Sequence, residues 1–251
     1  MGIARLADEI VGTIEDSAEA FGLARTACTG IAFDACASNV RTRNFSSPTD
    51  GYCTRGASNG RQVNGKAILT FANVTACDFA AATGADTNSP SVTRTLENHF
   101  IQRGNNGYKV LIYTGEGAVG GATIDAAGLM DFEGTTRSGG AVVKKLSGPV
   151  RKLTITGIHR RGLKPNGKFG FWHTLWSDAN GITVTDGSGS DKVLDGTMYV
   201  MHNLAQRKIT KTLAGVTFKT GCHFPQAGTT TFSWTEGTTP KSVVQGLEQV
   251  A

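Results

Sequence analysis

The segment from Phe169 to Trp176 carries the side chains best suited to binding a ligand. Because side chains alternate along an extended strand, Trp172, Thr174 and Trp176 are expected to share one face. Two indole rings on one face, separated there by a single threonine, are suited to holding a sugar ring or another flat ligand. We therefore predict a ligand-binding platform at these three residues. The alternative is that this face belongs to the hydrophobic core.

The histidines form no recognisable catalytic or metal-binding pattern. His173 lies in the same segment, on the face opposite the tryptophans, where burial would shift its pKa. A site made by His173, His202 and His223 lacks the spacing of known zinc motifs, and we expect His99 and His159 to be turn or surface residues. Since no nucleophile elbow or strand-borne pair of carboxylates occurs either, the sequence predicts no catalytic residue, metal site or cofactor.

The cysteines are the best indication of cellular compartment. Cys28, Cys36, Cys53 and Cys77 cluster near the start of the Gly- and Thr-rich region, whereas Cys222 stands apart without an assigned role. Clustered cysteines in such a protein predict disulfides and an oxidising compartment. Of the pairings that four cysteines allow, we favour Cys28–Cys36 and Cys53–Cys77. The alternative is a set of small, buried, reduced thiols.

Positive charge is unevenly distributed. The chain has a formal net charge of +5. Residues 1–28 contain two arginines and five acidic residues, which gives 2 − 5 = −3, so the remainder carries 5 + 3 = +8. A patch of basic residues predicts an anionic polymer or envelope lipid as the partner, rather than nucleic acid. The alternative is that these residues protect strand edges from aggregation. The patch consists of Lys144, Lys145, Arg151, Lys152, Arg160 and Arg161.

Short apolar segments cut by Gly-containing turns predict a long series of β-hairpins. Asn-Gly and Asp-Gly tolerate the positive φ angles of two-residue turns. The predicted strands include Lys66–Phe71, Tyr108–Tyr113, Lys152–Thr156, Lys168–Trp176, Gly181–Thr185 and Gly196–Met201. The predicted turns are Asn64-Gly65, Asn106-Gly107, Asn166-Gly167, Asn180-Gly181 and Asp195-Gly196.

The two ends of the chain differ from this pattern. Residues 3–21 have apolar positions at helical spacing, which predicts an amphipathic helix that caps an open sheet face or pairs with another copy of itself. Residues 237–251 predict a weak terminal helix or a strap. No apolar run reaches the roughly 18 residues of a membrane-spanning helix, so we expect no transmembrane segment.

These observations predict a mainly β fold, either an antiparallel sandwich or a curved, barrel-like sheet, with one N-terminal amphipathic helix. The predicted organisation is an N-terminal helix over 1–27, an antiparallel β domain over 28–236 and a C-terminal strap over 237–251. A disulfide-pinned loop is expected at 28–77 within the β domain.

The pattern resembles uncharacterised exported or lipoprotein-type bacterial β-sheet proteins. The similarity is carried by Thr26-Ala-Cys28, the Asn64–Phe71 strand ending at Cys77, Met201-His-Asn203 and Cys222-His-Phe-Pro225. It implies export to the periplasm, the outer membrane or the extracellular space. It implies no activity and transfers no catalytic residue.

Three functions are consistent with the sequence. The favoured one is a non-catalytic exported protein of the cell envelope, with a structural, adhesive or ligand-binding role. The second is a carrier of lipid or another apolar ligand in a β cavity closed by the N-terminal helix. The third is a hydrolase on a β scaffold, which would require a cleft with clustered carboxylates or histidines.

Overall fold

The computed structural model describes residues 34–45, 53–55, 61–79, 81–83, 88–103, 108–113, 117–119, 122–124, 140–166, 168–186, 191–219 and 225–247. The helix predicted over 3–21 lies outside these residues. So do the predicted turn at Asn106-Gly107, Cys28, Cys222 and His223.

The described residues form fourteen β-strands and one 3₁₀ turn, Asn203–Ala205. The strands are β1 (Val40–Asn44), β2 (Cys53–Arg55), β3 (Arg61–Ala72), β4 (Ser91–Arg103), β5 (Tyr108–Tyr113), β6 (Gly117–Val119), β7 (Ala122–Ile124), β8 (Gly140–Lys145), β9 (Val150–Leu163), β10 (Phe169–Asp186), β11 (Lys192–His202), β12 (Arg207–Phe218), β13 (Ala227–Glu236) and β14 (Thr239–Leu247).

Twelve of these strands form one antiparallel sheet. Its main path runs β1-β3-β4-β5-β9-β10-β11-β12-β13-β14, while β2 pairs with β3, and β8 pairs with both β4 and β9. Strands β6 and β7 form a separate two-stranded sheet. The prediction of a mainly antiparallel β fold is therefore confirmed. The ten-strand path is a single sheet rather than the two large sheets of a sandwich.

One face of the large sheet carries the hydrophobic core. The register sets Leu175 opposite Val200, and Val200 opposite Ile209, so these side chains share a face. Buried residues on every main strand from β3 to β13 except β5, whose side chains are not described, join the same cluster. They include Phe71, Val92, Ile155, Leu175, Val200, Leu213 and Phe232, and Val143 of β8 belongs to the cluster as well. Each of the strands β9 to β13 therefore contributes alternate side chains to the hydrophobic core.

Three of the predicted turns are β-bulges within continuous strands. Asn64-Gly65, Asn180-Gly181 and Asp195-Gly196 lie inside β3, β10 and β11, each at a shift in strand register. The φ angle is 70° at Gly181 and 141° at Gly196. A Cβ atom on Gly196 would lie 2.6 Å from the carbonyl oxygen of Gly181, so the adjacent bulges require glycine for close backbone approach.

The predicted turn at Asn166 does connect two strands, β9 and β10. The Lys164 amide donates to the Lys168 carbonyl oxygen at 3.0 Å. The Asn166 side-chain oxygen accepts from the Lys168 amide at 3.1 Å, as expected of an Asn-initiated turn.

The C-terminal segment is a strand rather than a helix. Thr239–Leu247 pairs with β13 along its whole length, and the two strands are joined by Gly237 and Thr238. Gly237 has a φ of 59°, which matches a tight hairpin turn. Successive residues of β14 point to opposite sides of the sheet, so Val243 and Val244 do not share the single apolar face that a helix would need.

The described disulfide joins Cys36 to Cys77, with 5.8 Å between their Cα atoms. Each predicted pair used one of these two cysteines, so both the Cys28–Cys36 and the Cys53–Cys77 pairings are wrong. The reason is topological: β1 returns alongside β3, which brings the residues before β1 close to the residues after β3. This disulfide closes the loop that contains both strands.

Within the described residues, no helix is both long and apolar enough to cross a membrane.

Candidate functional site

Strand β10 places the predicted platform residues on the face opposite the core. Trp172 lies opposite Arg161, Thr174 opposite His159 and Trp176 opposite Tyr199. His173 and Leu175, between them in sequence, point to the core side. The structure therefore puts Trp172, Thr174 and Trp176 on one face, but each has different neighbours.

Both indole rings already have partners within the fold. Trp176 is 8% exposed and stacks on Tyr199, with ring centroids 5.3 Å apart. The Lys208 ammonium lies 5.4 Å from the Trp176 centroid and 5.0 Å from that of Tyr199. The Arg161 guanidinium lies 4.2 Å from the Trp172 centroid. These contacts fix the rings in place, and Tyr199 rather than Trp176 is the more accessible member of the stack.

A row of hydroxyl side chains extends from Tyr199 across the sheet. The register aligns Tyr199 with Thr210, Thr210 with Ser233, and Ser233 with Ser242. A second row aligns Thr197, Thr212 and Thr231 and ends at Val244. We call these residues the hydroxyl face: Tyr199, Thr210, Ser233, Ser242, Thr197, Thr212 and Thr231.

The geometry of the hydroxyl face is regular. Adjacent strands lie about 4.8 Å apart, so the members of each row repeat at roughly that interval. All seven side chains are half-buried or exposed, with Thr212 and Ser242 exposed. Six of the seven are Thr or Ser, whose hydroxyls each donate one hydrogen bond and accept others. The result is an ordered array of donors and acceptors that faces solvent.

Beside this face, a buried polar network fixes Thr174. Asn203 donates from Nδ2 to Thr174 Oγ1 at 3.0 Å, and Thr174 Oγ1 lies 3.1 Å from His159 Nδ1. Because Thr174 accepts from Asn203, its own proton is available to His159 Nδ1. All three residues are buried, so Thr174 bonds to protein groups. The prediction that His159 is a turn or surface residue is wrong, because it is fully buried in the middle of β9.

The core side of the same strands holds a histidine pair. The rings of His173 and His202 meet edge to face with centroids 4.6 Å apart, and Phe171 stacks on His173 at 5.0 Å. Burial lowers the pKa of His173 to about 3, and His202 and Arg160 contribute in the same direction. Burial also lowers the pKa of His202, whose Nδ1 accepts from the Ala205 amide at 3.2 Å. His173 is consequently neutral at physiological pH.

Among the residues that the structure describes, no group of three or more His, Cys, Asp or Glu side chains could hold a metal ion.

The predicted basic patch is divided by the fold. Lys144 lies opposite Lys152, and Lys145 opposite Arg151, at one end of β8 and β9. Lys145 donates to the Ala82 carbonyl oxygen at 2.8 Å. Arg151 forms an ion pair with Asp186. These contacts already occupy part of the predicted surface.

Arg160 and Arg161 lie towards the other end of β9, where both are buried, and as adjacent strand residues they point to opposite faces. The prediction that the six basic residues form one exposed surface is therefore wrong for these two.

Sequence reasoning missed the hydroxyl face. Its signal was present as alternation, in Thr210-Lys-Thr212 and in Thr231-Phe-Ser233, where hydroxyl residues flank a buried position. The alignment of these pairs across four strands depends on register, which the bulges shift. Lys211, between two hydroxyl-face residues, was also missed as a buried residue.

The comparisons with known proteins found no matching family model, no matching curated protein and no matching solved structure.

Proposed function

We propose that the protein is a non-catalytic exported protein of a bacterial cell envelope that binds a carbohydrate polymer on its hydroxyl face. The observation that carries this proposal is the row from Tyr199 through Thr210 and Ser233 to Ser242, which crosses four adjacent strands on one side of the sheet. It narrows the ligand-binding role expected from the sequence to one surface and one class of ligand.

The chemistry of the face suits a sugar. Carbohydrates present hydroxyls that both donate and accept hydrogen bonds, and Thr and Ser hydroxyls do the same. Sugar rings also have apolar patches, for which the phenol ring of Tyr199 offers a partner with one polar end. Because threonine is stiff at χ1, these side chains lose little freedom when a ligand binds.

The surroundings favour a polymer with acidic groups. Lys208 is exposed at the Tyr199 end of the row, close to both aromatic rings. The hydroxyl face itself contains no carboxylate. With a net charge of +5, the chain attracts polyanions at long range, and this attraction weakens as salt is added.

The Cys36–Cys77 disulfide supports the exported part of the proposal, because disulfides persist mainly in oxidising compartments. The resemblance to exported bacterial proteins supports the same location.

The proposal is tested by affinity electrophoresis of the full chain in gels containing either an acidic or a neutral bacterial polysaccharide. We expect retardation by the acidic polymer. A triple variant, Thr210→Val, Ser233→Ala and Ser242→Ala, should weaken the apparent affinity by about tenfold, or 1.4 kcal/mol in total for three hydrogen-bonding groups. The polymer's chain length should be unchanged after incubation with the protein.

A matched control removes three hydroxyls from the far half of the sheet. Thr70 lies opposite Thr93, and Thr95 is on the same strand and face as Thr93. The variant Thr70→Val, Thr93→Val and Thr95→Val should bind within about threefold of the parent. Equal weakening by both triple variants, no retardation by any polymer, or shortening of the polymer would each contradict the proposal.

A further inference from the structure

The two ends of the large sheet are built differently. Strand β14 ends the strand order, and among the described residues it pairs only with β13. Every residue from Thr239 to Gly246 is exposed, including Val243 at 43% and Val244 at 62%. An edge of this kind presents a row of backbone donors and acceptors to solvent, which is a template for another strand.

The opposite end carries the features that discourage such pairing. Strand β1 is only five residues long and includes Arg41 and Arg43. The chain makes a tight turn just before it, since Ala37 and Val40 exchange backbone hydrogen bonds at 3.1 Å and 2.8 Å. Strand β14 is nine residues long and contains a single charge, Lys241. Short length, charge and irregularity protect the first edge. The second edge has two protective residues, Pro240 and Lys241, both near its start, and neither type recurs from Ser242 to Leu247.

We propose that β14 pairs antiparallel with β14 of a second copy of this chain, with Val243 opposite Val243. This register pairs all nine residues, because Thr239 then lies opposite Leu247, and Pro240 is the one residue of the strand without an N–H to donate. It sets Lys241 opposite Gln245 and Ser242 opposite Val244, so no like charges face each other. The two Lys241 residues lie about 13 Å apart along the strands, beyond the Debye length of about 10 Å at 0.1 M salt.

A second copy fits this edge for electrostatic reasons as well. The hairpin of β13 and β14 contains one glutamate, Glu236, and one lysine, Lys241, so its net charge is 1 − 1 = 0. This edge therefore adds no net charge of its own to the repulsion expected between two chains of +5. The centre of the strand, Ser242-Val243-Val244-Gln245, supplies apolar and neutral partners to its own copy.

The pairing has a consequence for the sheet faces. In a two-fold antiparallel pair, residues directly opposite each other point to the same side. The hydroxyl faces of two copies would then lie on one side of a continuous sheet. The pairing rests on the edge alone and does not depend on the proposed carbohydrate binding.

The test is sedimentation equilibrium of the full chain, without any polymer, from about 1 µM to about 1 mM. An edge contact of one strand is smaller than a standard interface, so we expect a monomer–dimer equilibrium with a dissociation constant in the micromolar range. Val243→Lys and Val243→Glu each place like charges opposite each other in the dimer. Each should raise the dissociation constant by about tenfold or more.

A mixture of the two variants is the decisive experiment. Lys and Glu would then face each other at the centre of the pair, and dimerisation should return to within about threefold of the parent. Leu204→Lys is the matched control, because Leu204 is 50% exposed and lies outside the edge, so it should leave dimerisation unchanged. The proposal is overturned if the parent protein stays monomeric at all of these concentrations. In that case the partner of β14 would be a strand of another protein. A mixture that remains monomeric overturns the proposal as well.

Discussion

The two faces of strands β11–β13 differ although they are built from alternate residues of the same strands. On one face, Met198, Lys211 and Phe232 are aligned and almost fully buried. On the other, Thr197, Thr212 and Thr231 are aligned one position away, and they are exposed or half-buried. A single step along the chain therefore separates a buried row from a row that solvent can reach.

Each face contains one residue whose character differs from that of its neighbours: a charged residue on the core face and a buried aromatic residue on the other. Lys211 lies on the core face at 3% exposure, with its ammonium 5.6 Å from the Phe232 ring centroid. Trp176 lies on the other face and is buried there by Tyr199 and its surroundings. These exceptions, together with the ordinary residues beside them, allow the comparison of faces to be tested.

The largest effect is expected from paired substitutions at adjacent positions. Phe232→Ala removes a ring that is 1% exposed and should lower the free energy of unfolding by about 3–5 kcal/mol. Ser233→Ala, one position along on the hydroxyl face, should change it by less than about 0.5 kcal/mol. Urea unfolding of both variants measures the difference. Equal losses of unfolding free energy at the two positions would contradict the distinction between the two faces.

Acid should act on the core face through His173. Burial lowers its folded pKa to about 3 from the 6.5 of an exposed histidine. Below pH 6.5 the unfolded chain therefore binds a proton that the folded chain does not, so stability falls as the pH drops towards 3. His173→Gln should remove about 2–3 kcal/mol of the loss between pH 7 and pH 4. Unfolding curves at the two pH values check this, and identical acid losses in parent and variant would refute it.

A smaller effect of the same sign, in alkaline solution, is expected from Lys211. Burial lowers its pKa from 10.5 to about 8, so the folded chain releases this proton before the unfolded chain does. Stability should therefore rise between about pH 8 and pH 10.5. Lys211→Met, which keeps much of the aliphatic volume, should stabilise the protein by about 2 kcal/mol at pH 7 and abolish that rise. Parallel stability profiles of parent and variant from pH 7 to pH 10.5 would show that the buried ammonium has no such cost.

The strands were predictable from the sequence, and their irregularities were not. Segments such as Tyr108–Tyr113 and Gly196–Met201 are strands as predicted, because β-branched and aromatic residues favour a pleated, partly buried surface. Gly181 and Gly196 were misinterpreted as turn residues, since a bulge and a hairpin turn both need glycine at positive φ. Only the neighbouring strand decides between the two.

The candidate site was predictable only in part, because the register between neighbouring strands is not evident from the sequence. Alternation placed Trp172, Thr174 and Trp176 on one face, but cross-strand partners such as Tyr199 depend on register. Arg160 and Arg161 were misjudged as exposed, because a run of charges in the sequence gives no indication that both faces of the sheet are buried at these two positions. The Cys36–Cys77 disulfide was missed because it depends on the pairing of β1 with β3.

The most direct test of the account uses two adjacent valines as reporters. Val243 and Val244 are both exposed but point to opposite faces of β14, and Val244 ends a row of the hydroxyl face. Hydroxyl-radical footprinting of the monomeric chain, with and without an acidic polysaccharide, measures the accessibility of each. We predict that the polymer protects Val244 and Tyr199 and leaves Val243 unchanged. Protection of Val243 to the same extent as Val244, or of neither residue, would contradict binding at the hydroxyl face.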